Sequence, residues 1–504
     1  MQRLREDMRR WRPISMGTDM TEINETTGLG RNLKARNAPP KGALIGVAAL
    51  LVTLTNAVIF VLPPLLPIIE AQYGLSTVSA TMWIYTVFTL GGGAGYILLP
   101  RVADVYGDRN ATVFASICLT LGALAPAIDS SYPALLVGSA LLGVGGASQL
   151  LPLGFLRRNL EGNGIATAVA VLIIATGAGI VAGMVGGGLI VEDLSLRSFF
   201  WLLTAACAAT TLLSFVIIPH TPPAEAASRI GALGTVWMIA WVAAVLLALT
   251  QGLVWGTAAL IPLVAGVVGG VLWVRVERRS SVAVFDIAML KSPFVTAACV
   301  SVALFAVVNA AFLLLFSTYS QVDPQTLPPA DAYGLGLTAL QTGWLMLPFA
   351  VTFVIGGAVV DRPVAKGRGA QVFVMGALIC AAGLAWLALA HDHPWEYLVG
   401  AGIMGLGCSM GYAAGFTMVQ MAVPEEKAGM AAGVAGTAMA VGFAFGTALI
   451  TGILSASVIQ IPGTGLTVAQ EGLYGTSYWT AAVLAVFVVV TVLISRARNN
   501  RSKI

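Results

Sequence analysis

The chain has 504 residues, of which 58% are hydrophobic and only 10% charged, with a net charge of +4. Soluble chains carry roughly a quarter charged residues, so a soluble enzyme or a basic nucleic-acid-binding domain is excluded. What remains is a polytopic, all-α membrane protein. The 57 glycines suit helices that pack closely in a bilayer. Cys118, Cys207, Cys299, Cys380 and Cys408 all fall inside apolar runs. They read as small buried hydrophobes, with no disulfide framework and no metal spacing.

Residues 1–42 are polar and basic and lack the apolar core of a signal peptide. They read as a disordered cytoplasmic tail. Fourteen apolar runs of membrane-spanning length follow, at 43–66, 78–99, 111–128, 133–155, 166–191, 198–218, 232–253, 257–275, 295–319, 337–360, 370–390, 396–421, 430–457 and 477–495. They lack the alternation of a barrel, and helix is the remaining way to satisfy the backbone in lipid. Pro63, Pro64 and Pro67 predict a kink or break in the first helix.

The basic residues set the expected orientation. Nine of the 27 Lys and Arg lie in the first 41 residues, and the alternate loops and the C-terminal tail collect all the others except Arg197. Such asymmetry places both termini in the cytoplasm and calls for an even number of crossings.

The most polar turn runs from Pro100 to Asn110, where Arg101, Asp104, Asp108 and Arg109 fall within nine residues between two apolar runs. Gly107 suits a positive φ or a tight backbone approach. Asp104 can pair with Arg109 across the turn, or cap the N-terminus of a neighbouring helix. The pattern returns after the tenth run as Gly357-Ala358-Val359-Val360-Asp361-Arg362, followed by Lys366 and Arg368. Glycines also repeat. Gly179, Gly183 and Gly187 share a face of the fifth run, with Gly186 and Gly188 beside them, and the thirteenth run carries Gly429, Gly433, Gly442 and Gly446. These echoes divide the chain into a six-helix half (43–219), an inserted pair (232–276), a second six-helix half (294–495) and a short tail (496–504). Parallel repeats of this kind place a substrate site between the halves near the midplane.

These residues resemble the major facilitator superfamily, in particular its fourteen-helix drug:proton antiporter branch. Asp104, Gly107 and Arg109 match the inner-turn pattern of that family, with Pro100 and Asp108 as departures. Trp83 to Leu90 is similar to its second-helix W-x-x-x-x-Y-x-L. Arg197 to Phe200 resembles the opening of its sixth helix, and Trp255-Gly256 and Phe285-Asp286-Ile287 resemble signatures around the extra pair. The longest match runs from Val423-Pro424-Glu425-Glu426-Lys427-Ala428-Gly429 through Gly446. The resemblance implies a secondary transporter of the plasma membrane that exports small amphipathic or lipophilic compounds by alternating access, with no enzymatic activity and no cofactor. It also implies that Asp104, Gly107 and Arg109 gate the inner side, with Asp361 and Arg362 as their repeat. It implies further that the glycines at 179, 183, 186 and 187 seal one helix against another.

The departures concern the coupling. The family's acidic residue on the first helix is Leu54 here. Ser139 and Leu142 stand for its Arg and Gln on the fourth, Met184 for a Pro on the fifth, and Met439-Ala440 for an Arg-Gln pair on the thirteenth. No acidic residue falls in a helix middle. Glu70, at the end of the first helix, is the candidate for proton coupling. A substrate cavity would draw on Asn56, Trp83, Tyr85, Gln149, Asn309, Tyr319, Gln341, Trp344, Tyr412 and Gln420, because polar groups in lipid seek a cavity or a partner helix. A cavity without buried charge favours neutral or lipophilic substrates. The expected partners are therefore a small molecule and the bilayer, with no nucleic acid, and the expected state is a monomer. A facilitator or lipid translocator working without a proton gradient is the first alternative, and a non-transporting receptor or scaffold the second.

Overall fold

The computed structural model describes residues 40–75, 78–161, 163–220, 232–279, 293–421, 428–462 and 467–501. The N-terminal tail to residue 39 and the motif residues Phe285 to Ile287 and Pro424 to Lys427 lie outside the described residues.

Each expected apolar run corresponds to a helix. In chain order these are α1 (Lys41–Tyr73), α2 (Val78–Tyr106), α3 (Asp108–Ile128) and α4 (Tyr132–Asn159, with a 3-10 turn at Ala147–Leu150). Then come α5 (Asn163–Val181, carried through a π turn at Ala182–Gly186 into Gly187–Asp193), α6 (Leu196–Ile217), α7 (Ala232–Trp255) and α8 (Leu260–Glu277). The last six are α9 (Pro293–Ser320), α10 (Ala339–Leu345 continued as Leu347–Pro363), α11 (Gly369–Leu389), α12 (Pro394–Met421), α13 (Ala428–Leu454) and α14 (Glu471–Arg501). Of these fourteen helices, twelve are, among the described residues, long and apolar enough to cross a membrane. A small antiparallel hairpin, β1 (Val458–Gln460) and β2 (Thr467–Ala469), pairs Ile459 with Val468 between α13 and α14.

The proline run does not break α1, which is helical from Lys41 to Tyr73 with Pro63, Pro64 and Pro67 inside it. A proline removes one backbone bond and crowds the preceding turn. Here Phe60 to Leu66 are all buried, and packing on every side holds the helix where propensity alone would end it.

Helix pairings recur with an offset of eight helices. α1–α5, α2–α4, α3–α4 and α3–α6 are echoed by α9–α13, α10–α12, α11–α12 and α11–α14. The two sets touch mainly through α2–α13 and α5–α10. The pair α7–α8 stands outside this pattern, with α7 laid against both α2 and α13.

Glycines set the closest approaches. A Cβ on Gly179 would come within 2.5 Å of Thr53 O on α1, and one on Gly183 would come within 2.5 Å of Ala57 O. Gly187 faces Val61 of the same helix, so the three glycines and their three partners keep step along both helices. Gly186 has open space, whereas Gly188 packs on Leu340 of α10. The same device joins α13 to α9, where Gly442 meets Ala303 and Gly446 meets Val307. Small residues four apart let the backbones meet without side chains between them.

Candidate functional site

A cavity of about 470 Å³ lies between α1, α2, α4, α5, α9, α10, α12 and α13. No charged side chain lines it. Its polar groups are few: Asn56, Thr89, Tyr96, Gln149, Asn309 and Tyr412 are the main ones. Gln149 Nε2 donates to the Tyr96 hydroxyl and ties α4 to α2. Asn309 Nδ2 donates to Cys408 Sγ at 3.2 Å, tying α9 to α12. Asn56 Nδ2 turns back to Val52 O at 2.8 Å on its own helix. Each amide thus places one donor in a known bond and keeps further hydrogen-bonding capacity.

An aromatic layer roofs the cavity. Phe60 and Phe353 line it, and Phe349 lies 6.0 Å from each of their ring centroids. Phe312 stacks on Phe349 at 5.6 Å with planes 15° apart. Beyond the layer α5 and α10 close together: Leu340 N donates to Glu192 Oε1 at 3.2 Å, and a Cβ on Gly343 would come within 2.6 Å of Met184 O. The cavity lining on α4, α5, α10 and α12 lies toward the other end of the bundle, where the α2–α3 turn sits. The bundle is therefore sealed at one end by rings and glycines, with its cavity displaced to the turn end.

Of the ten residues expected to serve a cavity, Asn56, Gln149, Asn309 and Tyr412 line this one. Trp83 packs against Trp255 of α7 at 5.9 Å between centroids, and Tyr85 is buried in the core. Tyr319 belongs to a ring cluster with Tyr333, His391, Tyr397 and Tyr474 at the sealed end. Gln341 forms the capping box of α10 with Thr338, and Trp344 is half exposed. The side chain of Gln420 lies outside the described residues. Tyr96 was not among the ten. It stands in an apolar run with only its hydroxyl to mark it, and its partner is 53 residues away.

Gly107 is the sole residue between α2 and α3 and takes φ 87°. An L side chain is strained there, so the turn depends on this glycine. The expected pairing of Asp104 with Arg109 is not the one observed. The Arg109 guanidinium lies 4.3 Å over the Phe215 ring of α6. Arg158, in the last turn of α4, pairs instead with Asp108 in the first turn of α3, Nη2 to Oδ1 at 2.9 Å. Each charge sits at the helix end whose dipole favours it. An arginine in the last turn of α4 reaches the turn because α3 and α4 are packing neighbours, whereas Arg109 lies over a ring of α6. Asp104 lies past the apolar run of α2, where burial raises its carboxyl above the ordinary value while Arg101 and Arg158 pull it down. The second turn has its own positive-φ residue, Gly367 at 74°, with Arg362 exposed nearby and the Asp361 side chain outside the described residues.

Glu70 is half-buried near the sealed end of α1, within electrostatic reach of Tyr474 of α14. The hairpin closes the same end: the Tyr333 hydroxyl donates to Ala469 O. Burial pushes this hydroxyl, in the loop before α10, far above its ordinary value. Among the described residues no cluster of His, Cys, Asp or Glu could hold a metal ion.

A bundle of membrane-length helices around an uncharged central cavity is the architecture of a multi-pass membrane protein. The chain belongs to the Major Facilitator Superfamily, whose family profile matches residues 47–447 and, in a second alignment, 324–503. It is similar to the multidrug efflux pump LfrA of Mycolicibacterium smegmatis, with 27% identity over 88% of this chain and 86% of that protein. It is also similar to the puromycin resistance protein pur8 of Streptomyces alboniger, with 30% identity over 86% of this chain and 83% of that protein. The fold matches a crystal structure of the peptide transporter POT in complex with sulfate, with a TM-score of 0.66 and 17% identity, over 93% of this chain and 98% of that one.

Proposed function

We propose that the protein is a secondary active exporter of small neutral or lipophilic compounds, working by alternating access in the plasma membrane. The observation that carries this reading is the uncharged cavity between the two helix sets. Its wall of Phe88, Phe353, Phe416, Phe443 and Met439 suits apolar bodies, and its amides orient their polar ends. A strongly ionic substrate would lose its water there and find no counter-charge. The efflux and resistance names of its relatives support the same direction of transport.

In this reading all fourteen helices cross the bilayer, both termini and the α2–α3 turn are cytoplasmic, and residues 43–219 and 294–495 are the moving halves around the pair at 232–276. The basic loops support that orientation, and the offset-eight pairings support that division. The two turns, with Asp104, Gly107 and Arg109 and with Asp361 and Arg362, control closure of the cytoplasmic end. The glycines of α5 hold α1 while α5 moves over α10. Coupling lies outside the cavity, and Glu70 is the candidate for it.

A second reading is favoured by the same uncharged lining. A facilitator of the same fold would need no titrating group and would only equilibrate its substrate. Uptake of an uncharged lipophilic probe without an ionisable group, which a pH gradient cannot trap by itself, into proteoliposomes with and without an imposed pH gradient separates the two. Accumulation beyond equilibrium that collapses with the gradient supports the exporter, and gradient-indifferent equilibration supports the facilitator.

A further inference from the structure

A second cavity, of about 320 Å³, lies beside the first on an adjacent face of α2 and nearer the α2–α3 turn, framed by α2, α7, α8, α9 and α13. Its size is at the lower end of small-molecule sites, which run from roughly 300 to 1,000 Å³. Trp241 and Trp273 of the α7–α8 pair form one wall, their ring centroids 6.2 Å apart. Cys299 and Ala303 of α9 form another. Trp273 Nε1 is committed to Gly234 O at 2.9 Å, whereas Trp241 Nε1 has no acceptor among the described residues. Arg101 and Asp104 stand at the turn end of an otherwise apolar lining.

Tyr96 is the one residue that lines both cavities. Its ring lies against Gly436 of α13, where a Cβ would come within 2.6 Å of the ring, and its hydroxyl is held by Gln149 on the far side. Tyr96 thus stands where the two spaces come closest along α2 and α13, seated on a glycine and held by one side-chain hydrogen bond.

We propose that the outer cavity is a lateral binding site for one amphiphile drawn from the adjacent leaflet, and that Tyr96 is the partition it passes to reach the central cavity. The ligand is a molecule with a single apolar chain or ring system and a zwitterionic or neutral polar end. The apolar walls take the body. The rim offers a cation and an anion side by side, which together match a zwitterion but leave either single charge facing its like. The α7–α8 pair, which stands outside the repeated pairings, supplies the indole wall and so gives this transporter a side entrance beyond its central route. The passage rests on the export reading above; the binding site does not.

Cys299 provides a reporter within the site. Purified full-length protein in nanodiscs is treated with N-ethylmaleimide, and labelling of each of the five cysteines is followed by peptide mass spectrometry. Dodecylphosphocholine below its micellar concentration slows labelling of Cys299 at least 5-fold and leaves Cys118, Cys207, Cys380 and Cys408 unchanged. No slowing, or equal slowing at all five, overturns the site whether or not the protein transports anything. Export is then compared for an NBD-labelled lysophosphatidylcholine and for puromycin added from water. Val300→Trp, on a half-exposed residue of the cavity mouth, and Ala303→Phe each slow export of the lipid probe 5-fold or more and leave puromycin export unchanged. Equal loss of both substrates in folded variants, or no loss of either, overturns the passage. Wild-type protein that exports neither compound overturns the export reading and the passage with it, while Cys299 protection still decides the site.

Discussion

Arg158 holds Asp108 at the foot of the α3–α4 pair, with 2.9 Å between guanidinium and carboxylate and the Asp108 side chain only 3% exposed. The pair closes a turn whose backbone is set by one glycine, and it leaves Arg109 to cover a ring of α6. Removing Arg158 strands a buried carboxylate, whereas removing Asp108 leaves a half-exposed guanidinium that water can solvate. Arg158→Ala should cost about 1–3 kcal/mol, and Asp108→Ala less. The double variant should cost no more than the worse single one, because the interaction is already lost. Thermal unfolding of purified protein, followed by tryptophan fluorescence, checks the cycle. Strictly additive losses would show that the two residues act independently.

Arg109 makes a different prediction. Its contact is a cation over an exposed ring, worth about 0.5–2 kcal/mol. Arg109→Gln should lower stability by less than Arg158→Ala does, and Phe215→Leu should remove most of the same increment. A loss on Arg109→Gln that persists unchanged in the Phe215→Leu background would place its partner elsewhere.

The glycine stripe predicts position-specific effects along a single helix. Gly183→Val must displace Ala57 of α1 and should cost about 1–3 kcal/mol by overpacking. It should abolish transport. Gly186→Ala enters open space and should be neutral in both melting and transport. Equal tolerance at the two positions would remove the claim that α1 and α5 meet backbone to backbone.

Much of this was legible in the sequence because lipid leaves few choices. Every apolar run became a helix, and the positive φ of Gly107 follows from its place between two helices. What the sequence hid was partnership. Asp108 and Arg158 are 50 residues apart, and nothing local prefers Arg158 over Arg109 as the partner of the turn. Tyr96 and Tyr85 lie on nearly the same face of α2, about three turns apart, and only the level along the helix decides which of them meets Gln149 and the cavity. The α1 prolines read as a break because propensity is local, while the burial that overrides it comes from other helices. The hairpin at 458–469 escaped notice because three-residue strands leave no usable periodicity.

The neutral lining can be tested by adding a charge. Asn309 is buried in the wall, and Asn309→Asp introduces a carboxyl of nearly equal size. A lipophilic cation such as tetraphenylphosphonium should then be exported several-fold faster than by the wild type. The gain should be present where the carboxyl is ionised and lost at acidic pH, where it is protonated. Cation export that is unchanged across pH would show that Asn309 does not face the substrate.

The central claim is that this cavity carries substrate and that transport is active. Its most direct test is accumulation of an uncharged lipophilic probe in proteoliposomes under an imposed proton gradient, comparing wild-type protein with Asn309→Trp, which fills the cavity. The wild type should concentrate the probe beyond equilibrium, and the filled variant, folded by the same fluorescence melt, should match empty liposomes. Wild-type movement that stops at equal concentrations, or a filled variant that transports as well as the wild type, would contradict it.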